Sequence, residues 1–259
     1  MLKVLLARAR QGTRTAPFPT PEPALPALFR GRPVLDPQRC ASGCADCVDI
    51  CPTEALRVTE TGLDLDLGRC IFCGDCVAAC PEGAITFTRD WRLAATRRDG
   101  LVVSDNRPPP LDALARELRR LLGRALRLRE VSAGGCNGCE VEATALGNVT
   151  FDSGRFGIEF VASPRHADGL FITGPVTANM KDALLATYAA VAEPKLVIAA
   201  GACAISGGIY EGHEEVCDGV EGLFPVDLYI PGCPPHPYTI LDGLLRLLGR
   251  IDGNDPKGR

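Results

Sequence analysis

The sequence predicts a small α+β unit followed by a larger α/β unit, and three observations carry that prediction. Residues 40–90 hold a cysteine run and its partial repeat, each followed by a β-prone piece. Residues 126–259 alternate short apolar runs with helix-like spacing, the pattern of a mainly parallel sheet covered by helices. A proline run at 108–110 separates the two and reads as a boundary.

Composition narrows the function classes. At 259 residues the chain is long enough for two domains, each burying a core, and a hydrophobic fraction of 46% is ordinary for a water-soluble protein. A net charge of −4 argues against a general nucleic-acid binder. No apolar run reaches the roughly 18 residues of a membrane span, and the N-terminal stretch lacks the pattern of a signal peptide. The expected location is therefore the cytoplasm. Thirteen cysteines without an export signal point away from a disulfide scaffold and toward metal ligation in a reducing compartment.

Residues 1–39 open with a short apolar-basic stretch and continue into 16–26, where Pro17, Pro19, Pro21, Pro23 and Pro26 block helix and sheet. The segment is expected to be extended, either as a surface tail or as a strap laid on a partner subunit. In residues 40–90, Cys70, Cys73, Cys76, Cys80 and Pro81 form a C-x2-C-x2-C-x3-C-P run, and Cys44, Cys47, Cys51 and Pro52 repeat its second half. This run resembles that of bacterial-type 2x4Fe-4S ferredoxins, in which the fourth cysteine of each run serves the other cluster. One cluster then takes Cys70, Cys73, Cys76 and Cys51, and the other Cys40, Cys44, Cys47 and Cys80. Three residues, not two, separate Cys40 from Cys44, and Gly43 is expected to absorb the extra one at positive φ.

Residues 91–125 read as a linker and an amphipathic basic helix. Apolar residues at 111, 114, 118, 121, 122 and 125 have helical spacing, and Arg116, Arg119, Arg120 and Arg124 line the other face. That face is either solvated or laid on anionic lipid or a membrane subunit. From 126 onward, strands are predicted at 126–132, 157–162, 169–174, 195–200 and 225–230, with helices at 178–191 and 236–248. Such βα units make a flavodoxin-like α/β sheet. Neither a Walker A lysine nor a G-x-G-x-x-G fingerprint is present, so no nucleotide site comes with the fold.

The chemistry of this second unit lies in its Gly-bearing loops. Strands 126–132, 195–200 and 225–230 each lead into one that carries cysteine, and such loops gather at the carboxyl edge of an open α/β sheet. Cys136, Cys139, Cys203 and Cys233 are thereby expected to converge. Four thiolates suit zinc or an iron–sulfur cluster. One close pair with two distant singles, spread over a large fold, favours a 4Fe-4S cluster, with Gly134, Gly135, Gly138, Gly207 and Gly208 letting backbone amides approach the sulfurs. Twelve cysteines are then assigned to three 4Fe-4S clusters, and Cys217 is left over. Three clusters in one polypeptide suit a conductor of electrons better than a catalyst; a zinc-stabilised scaffold is the reading from another class.

Several motifs in order carry a family resemblance: CNGCE at 136–140, SPRHAD at 163–168, TGPVT at 173–177, GACAISGG at 201–208 and PGCPP at 231–235. This part resembles the small subunit of energy-converting, membrane-bound nickel-iron hydrogenases of the formate hydrogenlyase type, which is related to the cluster-bearing subunit next to the quinone site of complex I. Residues 1–90, with FRGRP at 29–33 and LGRCIFCG at 67–74, are similar to the separate ferredoxin-like subunit of such complexes, so the chain looks like a fusion. The resemblance implies that Cys136, Cys139, Cys203 and Cys233 hold a proximal cluster facing the nickel-iron site of a large subunit. It also implies integral membrane subunits and an external donor or acceptor such as ferredoxin or formate dehydrogenase, with the chain peripheral on the cytoplasmic face of the membrane through its partners. The alternative is the same wire in a complex I-like assembly without hydrogenase activity, reacting with quinone. Cys-x-x-Cys at 136–139, where the complex I relative has adjacent cysteines, fits the hydrogenase branch. Glu140, Arg165, His166, His213 and His236 are further candidates, each with a structural alternative: an ion pair, a surface pair, a solvated loop and a helix opener.

Overall fold

The computed structural model describes residues 2–251 except 13, 21, 41–42, 61, 105 and 123–124. Its first element is a helix, α1 (Leu2–Gln11), none of whose residues is buried. The extended proline-rich piece begins only after it. That piece is not a free tail: it straps the chain's own second unit. Ala16 N–H donates to Thr150 O at 2.9 Å, and Phe18 is buried against the Tyr238 ring at 5.2 Å.

The small unit comprises β1 (Pro33–Leu35), α2 (Asp46–Asp49), β2 (Leu56–Thr59), β3 (Gly62–Asp66), α3 (Asp75–Ala79), β4 (Ile85–Phe87) and β5 (Val102–Val103). β1 pairs with β4, and β2–β3–β5 form a second antiparallel sheet. The cysteine run and its repeat each feed one short helix, as an internal duplication requires. β5 belongs to residues read as linker. Just before it, Ala95 exchanges both backbone hydrogen bonds with Tyr229, at 3.1 and 2.8 Å. The stretch between the cysteine-rich units is thus a seam pinned to the sheets of both.

The larger unit follows α4 (Arg116–Leu122) and contains β6 (Leu126–Ser132), α5 (Gly138–Ala145), β7 (Ile158–Phe160), β8 (Gly169–Thr173), α6 (Ala178–Ala190), β9 (Leu196–Ala200), α7 (Ala202–Ser206), β10 (Leu228–Ile230) and α8 (Pro237–Leu247). The strands are parallel in the order β10-β9-β8-β6-β7, which is the flavodoxin-like order 2-1-3-4-5 read from its other edge. β8 and β9 are buried along their whole length, as parallel strands covered on both faces must be. One face packs α6 and the small unit's core, including Leu35, Leu65 and Leu101; the other packs α5, α8 and Phe18 of the strap. α4 is shorter than the apolar spacing predicts. Residues 111–115 lie against α8, where Leu114 N–H donates to Leu247 O at 2.8 Å, and that contact replaces the first helical turn.

Candidate metal centres

Three strand ends of one sheet bring Cys136, Cys139, Cys203 and Cys233 together. After β6 the chain turns through Gly134 and through Asn137 at φ +71°, a left-handed conformation that asparagine tolerates. α5 then starts at Gly138 and carries Cys139 in its first turn. The neighbouring loop after β8 braces this turn: Thr177 N–H donates to Ala133 O at 3.1 Å. Val176 in that loop is fully buried at φ +57°, a strained position for a β-branched residue and one that the sequence reading missed. After β9, Gly201 at φ +91° leads into α7 and Cys203. A methyl group on Gly201 would stand 2.5 Å from Cys139 Sγ, so only glycine lets this backbone reach the sulfur. After β10 come Gly232 and Cys233, tied back by Ala202 N–H to Gly232 O at 2.9 Å.

The glycines expected at these sulfurs divide. Gly208 and Gly138 lie there, their ideal Cβ positions 3.0 Å from Cys203 Sγ and 3.6 Å from Cys136 Sγ. Gly134, Gly135 and Gly207 serve packing instead, against Thr177, Gly174 and Asp218. Gly201 was the residue to find, and its signal was its place between a buried strand and the cysteine-bearing turn.

In the small unit two cavities collect the other eight cysteines. Cys40, Cys44, Cys47 and Cys80 line one, Cys51, Cys70, Cys73 and Cys76 the other. Each set borrows one cysteine from the other run. Gly43 takes φ +79°, the bulge that the longer Cys40–Cys44 spacing calls for; Ala41 and Ser42 lie outside the described residues. The duplication extends to the amides: Ala55 N–H donates to Cys51 Sγ at 3.3 Å, and Ala84 N–H donates to Cys80 Sγ at 3.2 Å. Phe72 N–H donates to Cys70 Sγ at 3.3 Å. Donors of this kind stabilise negative charge on sulfur.

The electrostatics test whether these sets fit a metal cluster. Burial, with the neighbouring thiols adding to it, pushes Cys70 up to about 12 and Cys76 and Cys203 up to about 11. Cys139 is pushed up too, by burial first and then by Glu140 and the three other thiols, all of them negative when ionised. Such thiolates need an added cation, and bound metal supplies one. Among the described residues no three His, Cys, Asp or Glu side chains stand close enough to hold a single ion. Zinc draws four sulfurs to about 2.3 Å from one point. The two small-unit sets, each lining a cavity without closing to that spacing, fit the wider 4Fe-4S cubane.

The remaining candidates separate cleanly. Glu140 Oε1 accepts from Ser132 Oγ and from Thr173 Oγ1 at 2.7 Å, which locks α5 to β6 and β8. Glu130 stands beside it with a buried, unpartnered Oε1, and burial followed by the Glu140 charge raises its pKa to about 7. Arg165 and His166 are exposed on a turn after β7. His213 is exposed and accepts the Glu215 N–H. His236 caps α8, accepting the Tyr238 N–H at 3.2 Å, and burial lowers its pKa to about 4. Cys217 joins none of the three sets and packs beside the core.

Comparison with known proteins agrees with this layout. Residues 136–247 match the family described as NADH ubiquinone oxidoreductase, 20 Kd subunit, and residues 39–85 match the 4Fe-4S dicluster domain. The chain is 44% identical to formate hydrogenlyase subunit 7 of Escherichia coli over 52% of its own length and 53% of that protein. It thus spans about half of that relative. It is 38% identical to the "probable membrane-bound hydrogenase subunit mbhJ" of Pyrococcus furiosus over 52% of its length and 81% of that protein. It is 47% identical to an NADH-quinone oxidoreductase subunit of Citrifermentans bemidjiense, over 44% of its length and 66% of that protein.

Proposed function

Since the chain belongs to the family of the NADH ubiquinone oxidoreductase 20 kDa subunit and its hydrogenase relatives, with a dicluster domain ahead of it, we propose that it is an electron-transfer subunit of a membrane-associated hydrogenase complex. It carries three 4Fe-4S clusters and relays electrons to or from the nickel-iron site of a partner large subunit. The observation that carries this reading is the convergence of Cys136, Cys139, Cys203 and Cys233 from three strand ends, beside two further four-cysteine sets. The working division is 1–39, 40–90, 91–125 and 126–259.

When bound, the clusters supply one-electron redox chemistry with little rearrangement. The chain's own part is to hold, insulate and order them. Cys51, Cys70, Cys73 and Cys76 form the set nearer the larger unit's site: a cleft of about 290 Å³ is lined by Ile71 and Phe72 on one side and by Cys233, Pro234 and His236 on the other. Ile71 and Phe72 stand between Cys70 and Cys73 of that set in sequence. The backbone amides of Ala55, Phe72 and Ala84 favour the more negative, reduced state. Cys136 and Cys233 are exposed; Val141, five residues beyond Cys136, and Ile209, six beyond Cys203, are 57% and 58% exposed. A face of that composition fits a large partner subunit.

The relatives in NADH-quinone oxidoreductases keep a second reading in view: the same relay in a complex without hydrogenase activity, ending on quinone. Cys-x-x-Cys at 136–139 favours the first. Anaerobically purified full chain is expected to hold about twelve iron and as many sulfide. Cys203→Ser removes about a third of the iron while the dicluster pair stays reducible, and Cys217→Ser leaves the iron unchanged. Zinc without labile sulfide overturns the relay. A copurifying large subunit without two Cys-x-x-Cys nickel motifs, or without hydrogen turnover, moves the conclusion to the second reading.

A further inference from the structure

Among the described residues α1 has no partner within the chain, and its pattern says what covers it. Leu2, Leu5 and Leu6 are 72%, 63% and 48% exposed, and no residue of the helix is buried. At 3.6 residues per turn, Leu2, Leu5, Leu6 and Ala9 share one side. Lys3 and Arg10 flank that stripe on one border and Arg8 on the other; Val4 and Ala7 fall on the far side. Lys3, Arg8, Arg10 and Arg14 are the only charged side chains before Glu22, in a chain whose net charge is −4. A ten-residue helix is marginal in water by itself, so burial outside the chain must help to hold it. α1 is too short to cross a membrane.

We propose that α1 is an interfacial anchor lying in the surface of an anionic lipid bilayer, its leucines among the acyl-chain ends and its basic side chains at the headgroups. Cations on both borders of an apolar stripe are the arrangement that an in-plane helix requires, because long basic side chains snorkel up from each edge. A protein groove sets no such demand for charge of one sign on both borders. The strap gives the anchor a fixed origin: Ala16 is held through its N–H by Thr150 O and through its O by the Arg155 guanidinium at 2.8 Å. The chain itself then touches lipid, in addition to any membrane subunit it binds. This inference does not depend on the hydrogenase reading.

The test is pelleting of the iron-loaded full chain with vesicles of phosphatidylcholine and phosphatidylglycerol, against vesicles of phosphatidylcholine alone. Pelleting is expected with the anionic vesicles and is expected to weaken with salt. Lys3→Gln, Arg8→Gln and Arg10→Gln each weaken it about fivefold, and Leu5→Glu with Leu6→Glu abolishes it. Iron content stays unchanged in every variant, because the substituted side chains touch no core. Equal pelleting by the Leu5→Glu/Leu6→Glu variant places the contact elsewhere and overturns the proposal. So does pelleting only with vesicles that carry integral subunits of the complex, which makes the partner a protein.

Discussion

Gly201 concentrates the demands of the larger unit's site in one position. Its φ of +91° is costly for any side chain, and a methyl there would meet Cys139 Sγ at 2.5 Å. Gly201→Ala is therefore expected to cost about 1–3 kcal/mol and to lose the iron of this site while the dicluster EPR signals persist. Full iron content in the variant would show that the sulfur does not need this approach. Glu130 makes a second prediction, in pH. Its pKa is raised from an ordinary 4.5 to about 7, by burial first and the Glu140 charge second. Between those values the native protein keeps a proton that the unfolded chain has released, so this group's contribution to stability falls as pH rises through that window. Glu130→Gln removes the titration. Its apparent melting temperature should exceed the parent's most at pH 8, with the gap shrinking toward pH 5; a gap independent of pH would refute the assignment. The cysteine spacing was legible because it is written in the sequence. Gly201 and Val176 were not, because close approach and positive φ arise only when distant loops meet.

The elements were readable where burial alone shaped them. β6 was found at its full length, and β8, β9 and α6 to within a residue at each end. α5 and α7 were read as loops because glycine and cysteine dominate their opening turns, where the sulfurs and not the helix choose the residues. α1 was passed over because the prolines from Pro17 onward coloured the whole segment, although Leu2–Gln11 contains none. α8 carries a feature no pattern reveals, an ion pair in a helix that is buried along its whole length. Arg246 donates to Asp242 at 2.8 Å and to Ala94 O at 3.3 Å, with side chains 5% and 4% exposed. Asp242→Ala leaves the guanidinium buried without its carboxylate, at an expected cost of about 3–5 kcal/mol. Replacing Asp242 and Arg246 together by Leu and Met should cost much less. Denaturant unfolding of the two variants measures the difference, and equal losses would show that shape and not charge decides this site.

The molecule as a whole behaves as one body because its cysteine-rich units share a core. Leu65 and Leu101 of the small unit join the same buried cluster as Val131, Val197 and Tyr229 of the larger one. Polar contacts close the same boundary: Ser206 Oγ donates to Gly68 O at 3.0 Å, and Arg69 pairs with Glu211. Arg98 binds Asp66 on one side and approaches Glu221 at 4.0 Å on the other. A relay needs this arrangement, since electron transfer between centres tolerates little change in their separation and a hinge would vary it. The seam supplies the test. Ala95 is fully buried and donates its N–H to Tyr229 O, a bond that proline cannot make. Ala95→Pro should cost about 1–3 kcal/mol through that lost donor. If the units are coupled, the dicluster absorbance and the far-ultraviolet signal of the parallel sheet fall together at a lower temperature. Were the units independent, the variant would lower the transition of the sheet and leave the dicluster midpoint where it was.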